Sequence, residues 1–184
     1  MNYAIISDIH GYANPLAEAL NCADRYDCEQ LLLLGDLIYH GPRNTIVADH
    51  DPQTTASLLN ERRNMIIAVR GNCDAEVDQT ILQFPIMSPT NILMSKKHRI
   101  FMTHGHHFTP VNSPLQHGDI FLFGHTHVSF FDSTDGINIF NPGSVSLPKK
   151  ISIRTMGVLS EEDHRIMVVD IDTCKVLRTE YLVQ

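Results

Sequence analysis

A chain of 184 residues suits one domain, residues 1–184, with a single substantial core. Apolar residues make up 43% and charged residues 19%, and no apolar run reaches the length of a membrane helix, so a globular chain with no membrane partner is expected. A formal charge of -7 argues against stable duplex nucleic-acid binding through lysine and arginine, but it admits a small phosphodiester whose charge is met by bound cations.

The four cysteines, Cys22, Cys28, Cys73 and Cys174, form no C-x-x-C pair, which predicts reduced thiols and a cytoplasmic location. Eleven histidines against fourteen lysines and arginines is unusual. Six of those histidines lie between His104 and His127.

In chain order, Tyr3 to Ser7 reads as a first strand and ends in Asp8-Ile9-His10-Gly11. Asn14-Pro15 predicts a helix start with Asn14 as cap, and Leu16, Ala19, Leu20 and Ala23 form its apolar stripe. Leu31 to Leu34 is a continuous apolar run of strand length, closed by Gly35-Asp36. Residues 38–51 have loop composition around His40-Gly41-Pro42-Arg43-Asn44. Asp51-Pro52 predicts a second helix, running through Leu58, Leu59 and Arg62. Met65 to Val69 is a third strand, followed by Arg70-Gly71-Asn72-Cys73-Asp74, where Asp74 is placed to cap a helix over Val77 to Leu82 that stops before Phe84-Pro85.

The rhythm then changes to short, turn-bounded strands: Asn91 to Met94, Arg99 to Thr103, Asp119 to Phe123, Ser129 to Asp132 and Ile137 to Phe140, with Asp135-Gly136 as a hairpin turn. Met156 to Leu159, Arg165 to Ile171 and Val176 to Leu182 read as antiparallel strands, the last two joined by the polar turn 172–175. Alternation of strand and helix followed by consecutive strands predicts an α/β domain, two mixed β-sheets packed face to face with flanking helices. In such sheets ligands bind beyond the carboxyl ends of the strands.

That rule collects Asp8, His10, Asp36, Asn72, His104, His125 and His127, each beside or near a glycine that lets the backbone turn sharply. Carboxylates, imidazoles and one amide suit borderline divalent ions such as manganese, iron, zinc, nickel or cobalt, and differ from the thiolate set of a structural zinc site. So many donors exceed the needs of one tetrahedral ion, and two metals sharing a bridging carboxylate are expected. Spacing alone does not divide the donors between them.

The ordered motifs D-x-H at Asp8, G-D at Gly35, G-N at Gly71, H-G at His104 and G-H-x-H at Gly124 resemble the calcineurin-like metallophosphoesterase family, over roughly Tyr3 to His127. His40 to Asn44, Val69 to Asp74 and Asn141-Pro142-Gly143-Ser144 extend the likeness to small bacterial phosphodiesterases within it, over most of the chain. The resemblance implies a four-layer αββα sandwich and hydrolysis of a phosphodiester by in-line attack of hydroxide bridging two divalent metals, manganese foremost. It would put Asp8, His10 and His127 on one metal, Asn72, His104 and His125 on the other, and Asp36 between them. It also suggests that Asn141 to Ser144 border the site.

Position in the loop after the second strand makes Arg43 a candidate phosphate contact. His106 is a candidate to contact substrate or to orient a ligand, while His107 and His40 read as loop residues. Many family members carry histidine directly after the G-N asparagine, where it can assist the leaving group; this chain has Cys73. A thiol, with an ordinary pKa of about 8.5, is shorter and a poorer proton donor to an alkoxide than an imidazolium. Modest turnover, favouring leaving groups that need little protonation, is therefore expected. Phosphomonoester or phosphoprotein hydrolysis, and a non-catalytic protein-binding scaffold of the same fold, are the alternative readings; the intact donor set weighs against the scaffold. Exposed edge strands leave room for a homo-oligomer.

Overall fold

The structure is a computed structural model and describes residues 1–46, 48–149 and 152–183. Among the described residues, eleven strands form two sheets, with three α-helices. The first strands and helices are β1 (Asn2–Ile6), α1 (Ala13–Arg25), β2 (Cys28–Leu33), α2 (Pro52–Glu61), β3 (Ile66–Ala68) and α3 (Glu76–Ile81). The second sheet is built from β4 (Thr90–Met94), β5 (Arg99–Thr103), β6 (Ile120–Leu122), β7 (Ser129–Thr134) and β8 (Ile137–Pro142). β9 (Thr155–Ser160), β10 (Arg165–Asp170) and β11 (Lys175–Tyr181) return to the first sheet.

The six-stranded sheet has the order β11-β10-β9-β1-β2-β3. β1, β2 and β3 run parallel, and the last three strands add antiparallel beside β1. The five-stranded sheet, β4-β5-β6-β8-β7, is parallel through β5, β6 and β8, with antiparallel hairpins at both edges. Both sheets are mixed, as the sequence pattern predicts.

Strand alternation explains the continuous apolar runs. Tyr3, Ile5, Leu32 and Leu34 face the second sheet and meet Ile100, Met102, Ile120, Leu122 and Phe140. Ala4, Ile6, Leu31 and Leu33 face the opposite way, onto Leu16, Ala19, Leu20 and Ala23 of α1 and Ala56 and Leu59 of α2. Two distinct cores thus lie on the two faces of one sheet, and each fully buried leucine contributes about 1.5–3 kcal/mol relative to exposure. The helices flank the six-stranded sheet. Across the outer face of the five-stranded sheet, Phe101 stacks with Phe121 and meets Phe108 from a segment whose regular structure, among the described residues, is a 3-10 turn at Pro110–Asn112. The fourth layer is therefore thinner than the resemblance implies.

Three local expectations are corrected. Helix α1 begins before Asn14: Tyr12 is the cap residue and makes no side-chain cap bond, and Pro15 falls inside the first turn. The early N–H groups of a helix have no intrahelical partner, so proline is tolerated there. Asp51 does cap α2, accepting from the Thr54 N–H at 3.0 Å. Asp74 caps no helix. α3 instead uses Asp78, whose carboxylate accepts from the Ala75 N–H at 2.8 Å. Finally, Cys22 on α1 and Cys174 in the β10–β11 turn form a disulfide, with Cα atoms 5.4 Å apart and a sequence separation of 152. Only folding brings this pair together, so spacing gave no sign of it. Cys28 and Cys73 remain thiols. No helix among the described residues is long and apolar enough to cross a membrane.

Candidate metal centre

The chain leaves β1, β2, β3, β5 and β6 at one end of the sandwich, and the polar turns that follow carry the predicted donors. Asp8, His10, Asp36, His125 and His127 have φ of 56°, 52°, 56°, 67° and 58°. A left-handed backbone at a non-glycine residue costs on the order of 1–3 kcal/mol and persists only where its surroundings over-determine it. Here the turns lock one another: the Asp8 N–H donates to the Gly35 carbonyl at 3.1 Å, that of His10 to Asp36 at 2.8 Å, and that of Gly11 to Leu37 at 3.0 Å. A Cβ on Gly71 would collide with the Asp36 carboxylate, and one on Gly124 with the Ser7 hydroxyl, so glycine at these two positions permits the close approach.

Three imidazoles are oriented alike. Nδ1 of His10, His104 and His127 lies 2.8, 2.7 and 2.6 Å from the carbonyls of Tyr39, Leu34 and Leu147. A carbonyl can only accept, so each Nδ1 carries a proton and each Nε2 is directed to the shared centre as the atom that would meet a cation. His10 Nε2 lies 3.3 Å from His127 Nε2 and 3.6 Å from Asp36 Oδ2. His127 Nε2 is 3.2 Å from Asp8 Oδ1, and His104 Nε2 is 3.4 Å from Asp36 Oδ2.

The carboxylates are divided between bracing and presentation. Asp8 Oδ2 accepts from the Ser7 hydroxyl at 2.7 Å and the His125 N–H at 3.0 Å, while its Oδ1 is buried with no hydrogen-bond partner. Asp36 Oδ1 accepts from the Cys73 N–H at 2.8 Å and leaves Oδ2 between His10 and His104. Asn72 Oδ1 approaches His104 Nε2 at 3.0 Å.

Burial and charge pull these groups in opposite directions. Burial raises the pKa of Asp36, but its contact with His104 and the charge there overcome this and hold it well below the usual carboxylate range. Burial lowers that of His104, yet Asp36 and Asp8 together push it up to about 9. Cys73 is pushed up to about 12 by burial and then by the Asp36 charge. His106 is driven down to about 4 by burial and by His104.

Within 4.8 Å of one another stand the donor trios Asp8/His10/His127, Asp8/Asp36/His104 and His10/Asp36/Cys73. His125 belongs to none of them; it is half-buried, its ring 5.1 Å from that of His104. His106 stands farther out, 5.3 Å ring to ring from His104, with Nδ1 buried and unpartnered. Arg43 lines a cavity of about 540 Å³ together with His10, Asp36, Asn72, Cys73 and Lys149. The arginine was legible from its loop; Lys149 follows no motif and was missed.

Four residues support the donors: Asp74 was misread as a helix cap, Ser7 was missed, and Asn141 and Ser144 were expected at the border of the site from the family resemblance. Asp74 is buried and its carboxylate accepts from the N–H groups of Asp36, Leu37 and Gly71 at 2.8, 2.8 and 2.7 Å, tying two motif turns together. Burial raises its pKa to about 6. Ser144 donates to the Asp8 carbonyl at 2.8 Å, and Asn141 to that of Gly124 at 2.7 Å, so the Asn141 to Ser144 turn does border the site. Ser7, at the end of an apolar strand, holds Asp8. A small polar residue interrupting such a run is the signal that could have found it.

The donor chemistry passes the test for bound cations: a buried carboxylate oxygen without a partner, and imidazoles whose outer nitrogens are pinned to carbonyls, fit divalent ions. Two face-to-face mixed sheets with such a cluster at their strand ends define the class. Residues 1–164 match the calcineurin-like phosphoesterase superfamily domain, and the chain belongs to that family.

Among individual proteins, it is 41% identical over 163 residues to phosphodiesterase YfcE of Escherichia coli strain K12, spanning 88% of this chain and 89% of that one. The solved E. coli phosphoesterase YfcE has a TM-score of 0.93 and 37% identity, covering 99% of this chain and 100% of the other. Methanocaldococcus jannaschii phosphodiesterase MJ0936 is 24% identical over 183 residues, with 92% and 100% covered. Zinc-complexed Vps29 of Entamoeba histolytica shares the fold, with a TM-score of 0.61 at 18% identity over 98% and 97% of the two chains.

Proposed function

We propose that the protein is a phosphodiesterase that holds two divalent cations at Asp8, His10, Asp36, Asn72, His104, His125 and His127. The observation that carries this reading is the pair of donor trios meeting at Asp8, with an unpartnered Oδ1 on Asp8 and Asp36 Oδ2 set between His10 and His104. Asp8, His10 and His127 form one set, Asn72, His104 and His125 the other, with Asp36 shared. Bound there, the cations supply Lewis acidity, acidifying water and offsetting negative charge on the phosphoryl oxygens. Manganese is the proposed ion, since oxygen donors and imidazoles without thiolate suit it.

The chain's own groups do the rest. Asn72 contributes a neutral carbonyl oxygen and so does not weaken the attraction for an anionic ester. Arg43 and Lys149 carry positive charge at the mouth of the cavity, where a phosphoryl oxygen can be met by charge-assisted hydrogen bonds. His106 stands behind His104 and positions it or meets substrate. Cys73 is placed on the leaving-group side, where a thiol is a poorer proton donor to the departing oxygen than an imidazolium. A diester preference is supported by the identity to the E. coli phosphodiesterase. The substrate is a small phosphodiester, not duplex nucleic acid, and the proposed compartment is the cytoplasm, where the Cys22–Cys174 bridge would stand reduced. Association of copies would use edge strands such as β11, where Leu177 and Tyr181 are exposed.

The test is to strip metal, restore manganese, nickel, cobalt or zinc in turn, and compare bis(p-nitrophenyl) phosphate with p-nitrophenyl phosphate. Faster diester hydrolysis with manganese is expected. No hydrolysis with any ion overturns the enzyme reading, and a monoester preference overturns the substrate alone.

A further inference from the structure

Asn72 lines two separate cavities. One, of about 540 Å³, contains Cys73, Arg43 and Lys149. The other, of about 530 Å³, is bounded by Arg70, Asn72, Met87, Pro89, His106 and His107. A phosphodiester has two ester arms that diverge from phosphorus, whereas a monoester has one. A site with room on both sides of a donor to the reacting centre matches the first kind of substrate.

The two cavities differ in chemistry. Cys73, assigned to the leaving-group side in the phosphodiesterase reading, lines only the first. The second offers flat and polarisable surfaces: the rings of His106 and His107 lie 4.0 Å apart at 46°, and half-buried Met87 packs on the helix-side core. The Arg70 Nε donates to the Asp74 carbonyl at 3.1 Å, which anchors the guanidinium at this cavity. Thioether sulfur, a guanidinium plane and imidazole faces each favour a planar aromatic partner over an aliphatic one.

Resting on the phosphodiesterase reading, we propose that the Arg70–Met87–His107 cavity is a subsite for the ester arm that stays on phosphorus, and that this arm is a planar aromatic group of nucleoside type. The leaving arm occupies the Cys73 cavity. Arg70, Met87 and His107 thereby set specificity without touching the bond that breaks.

The test compares the manganese-loaded protein with His107→Ala and with the Met87→Ala/His107→Ala double variant on two diesters that share a leaving group, bis(p-nitrophenyl) phosphate and methyl p-nitrophenyl phosphate. Wild type is expected to prefer the bis-aryl ester in kcat/KM. In the double variant that preference falls on the order of tenfold, mostly through KM, from loss of stacking. Calorimetric binding of phenyl phosphate against methyl phosphate gives the same comparison without turnover, and phenyl phosphate is expected to lose its advantage. Equal losses on both diesters, or an unchanged preference and unchanged binding, overturn the subsite. Hydrolysis of neither diester by wild type, with the phenyl phosphate advantage still lost in the variant, overturns the phosphodiesterase reading and leaves the aromatic cavity standing.

Discussion

Replacement of Asp74 separates bracing of the site from ligation, because this carboxylate touches no donor side chain and yet spans two motif turns. Its Oδ2 accepts from the Asp36 and Gly71 N–H groups and its Oδ1 from that of Leu37. In Asp74→Asn the amide oxygen would take the position that serves two N–H groups, leaving the amide nitrogen against the Leu37 N–H. One buried donor then loses its acceptor, at about 1–3 kcal/mol. In Asp74→Ala all three donors are stranded, and a loss of roughly 3–6 kcal/mol is expected, a large share of a typical net stability of about 5–15 kcal/mol. Urea unfolding followed by circular dichroism reads both values, and metal content after dialysis reads the consequence for the site. The alanine variant should unfold at a midpoint lower by roughly 1–2 M, taking a slope of about 3 kcal/mol per molar at the upper end of the urea range. It should also retain less manganese. An asparagine variant within 0.5 kcal/mol (roughly, the noise of such a measurement) of wild type, with the alanine variant no worse, would refute the bracing role.

Cys73→His should weaken the dependence of rate on leaving-group pKa across a series of aryl esters, because an imidazolium can protonate the departing oxygen; an equally steep dependence contradicts the position assigned to Cys73. Asp36→Asn is expected to leave fewer than two ions per chain by elemental analysis and to cut turnover by at least about 100-fold, as removal of a shared ligand does; two tightly held ions with full activity would remove it from its bridging place. Saturating manganese should raise the unfolding temperature of the stripped protein, since a ligand at about 100 times its Kd adds about 2.7 kcal/mol, and a melting curve indifferent to manganese would argue against any built cation site. Thiol titration of the unfolded protein after air exposure should count two thiols, Cys28 and Cys73, with Cys22–Cys174 bridged, and four after rapid alkylation in cells if the compartment is the reducing cytoplasm.

Much of the fold was legible because its strongest signals are local. Leu31 to Leu34 reads as a doubly buried strand from composition alone, and the structure buries alternate members in the two cores. The strand-end rule works for the same reason: apolar runs fix where strands stop, and the donors follow within a few residues. The misreadings arise where a residue serves a distant partner. Asp74 has the local look of a helix cap, but three amides from two turns compete for its carboxylate and win. Cys22 and Cys174 are joined only when the β10–β11 turn folds against α1. Lys149 reaches the cavity from a segment with no motif, and His107, read as an ordinary loop residue, lies tilted against His106 at a second cavity.

The strained turns give the Gly-His-Thr-His stretch a meaning beyond its spacing. In an extended strand, His125 and His127 would project side by side; with both in the left-handed region, their paths diverge. His127 turns toward Asp8 and His10, held by the Leu147 carbonyl, while His125 lies against His104 and uses its backbone N–H to hold Asp8. One short segment therefore touches the two donor groups and braces the Asp8 carboxylate of one of them. The backbone strain is met during folding by hydrogen bonds among the turns and by two cores that fix the strand ends. The imidazoles so pinned have little freedom left to lose when a cation arrives, and the geometry of the centre is set by the sheets more than by the ions.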